Sequence, residues 1–127
     1  MELIMQQGED RQIDIALFEG ANPLVVGPAT AGLVSNIQCN VFIGAAKVAQ
    51  HSLNAQAGFG TIDLHPSIPH VIQLKIERSS SKTFPIGLLS VATLVTFLDA
   101  NFPNGRNVEA HNALGRITKG DTTDLLP

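Results

Sequence analysis

The sequence predicts an all-β chain. The expected form is a single antiparallel β-sandwich of Ig-like type, with about seven or eight strands and a short C-terminal tail. Three observations carry this. Apolar and polar residues alternate with period two along several short runs, the pattern of strands with one face on a core. Turn-forming Gly, Pro, Asn and Ser clusters separate those runs at fairly regular spacing. The most apolar stretch, Leu88 to Leu98, has eleven residues, where a membrane helix needs about 20. Its Val91, Thr93, Val95 and Thr96 disfavour a buried helix, because β-branched side chains lose rotamer freedom there.

The runs follow in order. Leu3 and Met5 alternate weakly with Glu2, Ile4 and Gln6. Ile13, Ile15 and Leu17 alternate cleanly with Gln12, Asp14 and Ala16. Ile37, Cys39, Val41 and Ile43 give a third strand, Ile62 and Leu64 a fourth, and Ile72, Leu74 and Ile76 a fifth. Residues 44–53 could form a short helix or the arm of a hairpin. Leu88–Leu98 is a strand with two largely apolar faces, as a central or doubly covered strand has. Phe102-Pro-Asn-Gly105 is its turn, since Pro presets φ and Asn-Gly accepts positive φ. Asn107 to His111 returns as its partner, and Leu114 and Ile117 suggest a short last strand. The domain is expected over residues 1–118 and the tail over 119–127.

Composition excludes several functions. The chain has 127 residues, one domain's worth, with 44% hydrophobic and 15% charged residues and a net charge of -3. Its lysines and arginines are scattered singly, so no basic stripe is offered to nucleic acid. Six Phe with no Trp or Tyr argue against an aromatic sugar platform and an aromatic-rich hot spot. Cys39 is the single cysteine, which precludes an internal disulfide and a Cys-rich zinc site. The opening MELIMQQGED lacks a basic n-region and a long apolar run, so no signal peptide is expected, and no membrane partner.

Motifs that carry chemistry are sparse. His65-Pro-Ser-Ile-Pro-His70 could bring two imidazoles to one metal with Asp63 as a carboxylate. No third strong ligand is evident, and a proline-shaped loop explains the stretch. Ser79-Ser-Ser-Lys82 has the spacing of a nucleophilic Ser with Lys one helical turn on. A strand precedes it and Phe84-Pro85 follows, so no helix is expected there. Lys119-Gly-Asp121 matches an adhesion tripeptide, which is cheap by chance. No catalytic residue, metal ligand or cofactor is assigned.

The order of the phrases carries a resemblance. Gly8-Glu-Asp-Arg-Gln-Ile-Asp-Ile15 leads to a short strand, Gly20-Ala-Asn-Pro-Leu24 connects it, and a strand follows over 36–43. Phe84-Pro-Ile-Gly-Leu-Leu later opens a long strand that ends in Phe-Pro-Asn-Gly. Over residues 8–118 this layout resembles the small β-sandwich modules of tailed-phage virion proteins, such as the amino-terminal domain of baseplate upper proteins. The resemblance implies a non-enzymatic structural protein of a baseplate, tail or capsid. It would assemble in the host cytoplasm into the virion, with itself and other virion proteins as partners. Phe102, Leu125 and Leu126 are the expected contact residues. The alternative is a monomeric Ig-like module that holds a partner or ligand in its end loops. A small metal-dependent enzyme built on His65, His70 and Asp63 ranks behind both.

Overall fold

A computed structural model of the chain describes residues 2–27 and 33–120. Among these residues ten strands form in chain order: β1 Leu3–Gln6, β2 Arg11–Ala16, β3 Phe18–Glu19, β4 Asn22–Pro23, β5 Val34–Ile43, β6 Ala46–Ser52, β7 Gly60–Leu64, β8 Val71–Ile76, β9 Gly87–Phe97 and β10 Arg106–Thr118. One helical turn, α1, covers Arg78–Ser81. Eight strands make one sheet in the order β1-β10-β9-β5-β6-β7-β8-β2, and β3 and β4 form a separate small hairpin.

The all-β class holds, but the antiparallel sandwich does not. Two of the pairings are parallel: β1 with β10, and β6 with β7. The sheet curls until it is nearly closed into a barrel. Its two outermost strands, β1 and β2, are consecutive in the chain and joined by the tight turn at Gln7–Asp10. The Arg11 guanidinium donates to the Ile4 carbonyl across this seam, and Asn112 Nδ2 donates to the Ala16 carbonyl at 2.9 Å. Side chains, rather than a backbone ladder, draw the ends together.

The alternating residues point where the period requires. Ile13 and Ile15 of β2, Ile37, Cys39 and Val41 of β5, Ile72 and Leu74 of β8, and Leu89, Val91 and Val95 of β9 all face the interior. Phe84, 2% exposed, fills the core beside them. Strand β9 is central in pairing, flanked by β10 and β5 along nearly its whole length. Its outer face is not covered by a second layer, however. Leu88 is 72% exposed.

Three local expectations change. The strands expected at Asn107–His111 and at Leu114–Ile117 are one strand, β10, carried through an irregularity between Ala113 and Gly115. The Gly20-Ala-Asn-Pro connection is the β3–β4 hairpin rather than a plain turn. A helical turn does form before Lys82. Its Ser81 is buried and donates to the Glu9 carbonyl at 2.8 Å, so tertiary bonding holds a turn that the flanking residues do not favour. Residues 44–53 take the hairpin form: β6 pairs back on β5.

Candidate functional site

The barrel has two distinguishable ends. At the α1 end, the β1–β2 turn, α1, the β5–β6 hairpin and the exit of β10 converge. Gln7 N–H bonds the Thr118 carbonyl, the Arg78 guanidinium donates to Gly8 O at 2.7 Å, and Gly44 N–H bonds Leu88 O. At the opposite end lies the β9–β10 loop, 98–105. Asp99 shapes it: its Oδ1 accepts from Asn101 N–H, and its carbonyl from Phe102 N–H. Leu98 N–H bonds the Leu33 carbonyl there.

Exposed large apolar side chains collect at these ends. Ile4, Ile86 and Leu88 lie at the α1 end, 49%, 61% and 72% exposed. Ile4 and Leu88 share one cross-strand row, separated by Arg116 of β10. Leu33, Leu98 and Phe102 lie at the loop end, 58%, 62% and 49% exposed. Phe18 and Ile68 are exposed in the same half. The outer face between the two ends is mixed. There Gln38, Asn40, Gln50, Glu109 and His111, with Phe59 and Leu94, line a shallow cleft of about 250 Å³. Gln50 bonds Asn40, and His111 sits 3.5 Å from Glu109.

Phe102, expected as a contact residue, is thus exposed at one of the patches. Leu125 and Leu126 lie outside the described residues. Gly120, the last described residue, is buried against Gln7 at the α1 end. Sequence reasoning passed over Ile4, Leu33 and Ile86. Leu33 and Ile86 stand next to turn residues and Ile4 on the outer side of its strand, and only folding gathers them at the two ends of β9.

The histidine pair does not converge. His65 Nδ1 accepts the backbone N–H groups of Ser67 and Ile68 at 3.1 and 3.0 Å. It is therefore a loop-shaping acceptor. His70 packs edge-on against Phe18, with ring centroids 5.4 Å apart. Among the described residues no three His, Cys, Asp or Glu side chains stand close enough to share a metal. Ser81, in the Ser-x-x-Lys stretch, is occupied by Glu9. Cys39 is buried, its Sγ 3.3 Å from Thr93 Oγ1, and burial pushes its pKa up to about 11. That thiol is a packing group in its resting state.

His51 was not singled out by the sequence. It is 5% exposed on β6, at the parallel junction with β7. Its Nε2 contacts the Lys75 carbonyl at 3.3 Å, and Nδ1 has no hydrogen-bond partner. Lys75 and Glu77 border the same cleft of about 440 Å³. Burial lowers the His51 pKa, against the smaller opposing effect of the Lys75 carbonyl. The unfolded chain therefore takes up the proton first, near an ordinary His pKa of about 6.5. Stability from this group is full above that value and declines as pH falls toward the lower folded-state pKa. We expect the stability of the native chain relative to His51→Gln to shrink between pH 8 and pH 5.5 in urea titrations. An unchanged difference would show that His51 does not titrate as its burial requires.

Comparison with protein-family models, curated proteins and solved structures gives no match.

Proposed function

We propose that this protein is a non-enzymatic structural module that works by self-association. The observation that carries this reading is the gathering of exposed large apolar side chains at the two ends of β9, Ile4, Ile86 and Leu88 around the Arg116–Glu2 ion pair at one and Leu33, Leu98 and Phe102 at the other. Single exposed apolar residues are ordinary on any surface, but clustered ones mark interaction sites. The lightly charged composition agrees with a chain that spends its working life against other chains. The resemblance of its phrase order to tailed-phage β-sandwich modules makes a virion the setting we favour, with baseplate, tail or capsid as the place.

Absolute mass by light scattering on a sizing column, over a concentration series, tests the proposal. We expect a species larger than the 13.5 kDa chain whose fraction rises with concentration. A monomer at every concentration would favour the rival reading, a monomeric module that holds a partner in its end loops.

A further inference from the structure

We infer that the copies join head to tail: the α1 end of one chain docks on the β9–β10 loop end of the next. The inference rests on the self-association proposed above and specifies its geometry. Two observations point to it.

The first is the placement of the patches. Leu88 and Leu98 are ten residues apart on and just past one strand, roughly 33 Å at the rise of an extended chain. One two-fold interface centred on either patch leaves the other in water. A heterologous contact covers both on every copy inside the assembly.

The second is charge. Seven of the eight Lys and Arg residues lie on elements that form or lead into the α1 end. Four described carboxylates accompany them there, Glu2, Glu9, Asp10 and Glu77, and two of the cations are paired, Arg11 with Glu9 at 3.4 Å and Arg116 with Glu2 at 3.6 Å. At the loop end the only Lys or Arg is Arg106, which stacks over the Phe97 ring at 5.0 Å and pairs with Glu19 at 3.7 Å. Asp99 adds a further carboxylate beside Leu98. Asp121 and Asp124 lie outside the described residues and are not counted. A two-fold contact through the α1 end would set one cation-rich surface on another. The head-to-tail contact sets it on the loop end, where Glu19 and Asp99 outnumber the single cation Arg106, which favours both encounter and register. The occupant of each patch is therefore the opposite patch of a second copy. The array closes into a ring if its rotation permits and otherwise extends as a filament.

Complementary blocking tests this. Leu88→Asp puts a carboxylate in the α1-end patch, and Leu98→Asp does so in the loop-end patch. Both side chains are exposed, so circular dichroism and thermal midpoint should match the native chain. Should an Asp variant lose its fold, Leu88→Asn and Leu98→Asn report the same contact without the charge. Each variant alone is expected at monomer mass. An equimolar mixture is expected to form a 1:1 dimer that grows no further, because one intact end of each kind remains. If either variant keeps the native oligomer mass, or if the mixture stays monomeric, the head-to-tail geometry is wrong while self-association stands. A native chain that is monomeric throughout overturns both.

Discussion

Gly115→Val is expected to destabilise the fold by about 3 kcal/mol, at the upper end of what overpacking typically costs. Gly115 is where β10 resumes its ladder after the irregularity, opposite Leu3 of β1. A Cβ built there falls 1.7 Å from the Leu3 carbonyl oxygen and 2.6 Å from its carbon. Those are backbone atoms, so no rotamer change relieves the clash. Either β1 leaves the sheet or β10 shifts. Strand β1 is held by a four-residue parallel ladder, and it carries Met5, fully buried in the core. Its departure exposes that side chain, at a cost of about 2 kcal/mol, and uncovers the seam with β2. Urea denaturation measures the loss. Protease cleavage within the first ten residues reports whether β1 is what leaves. Gly44→Ala is the comparator. Its Cβ would meet nothing within 4 Å, and only the left-handed φ of +59° opposes it, for about 1 kcal/mol. If both variants lose the same amount, the close approach of β1 to Gly115 is not as described.

That contact also shows where sequence reading stops. Alternation reports which side of a strand faces the core, and at Ile13–Ile15, Ile37–Val41, Ile72–Leu74 and Leu89–Val95 it does so correctly. It carries no information about which strand lies alongside. The parallel placements of β1 and β7 were therefore invisible, and with them the barrel-like closure. In the sequence β10 divides between His111 and Leu114, where the alternation lapses. In the fold the strand runs on, and Gly115 is the residue that lets it continue past the Leu3 backbone. The two apolar faces of β9 were legible, and of the two meanings they allowed, a central or a doubly covered strand, the central one holds. Phe102, to which turn chemistry drew attention, is exposed at the loop end. Ile4, Ile86 and Leu33 form no periodic set, so their clustering could come only from the three-dimensional arrangement.

The second large effect falls at the other parallel junction. Strands β6 and β7 share a ladder of two residue pairs, His51 with Gly60 and Ser52 with Thr61. This short contact links β1, β10, β9, β5 and β6 to β7, β8 and β2. A Cβ on Gly60 would lie 2.5 Å from His51 Cδ2 and 2.7 Å from Nε2. Gly60→Ala therefore forces the imidazole out of its buried site and away from the Lys75 carbonyl it contacts. We expect a loss of about 3 kcal/mol, the range for a forced rearrangement in a packed interior. The sign should change when the ring is absent. With His51→Ala as the background the methyl group has space, and replacing Gly at a backbone geometry open to other residues stabilises by about 0.5 kcal/mol through the unfolded chain. A double-mutant cycle in urea reads the coupling directly. Additive losses would mean that the ring and Gly60 do not oppose each other, and that something other than this contact holds the junction. A coupling as large as the single loss would place the stability of the junction on one imidazole fitted against one glycine.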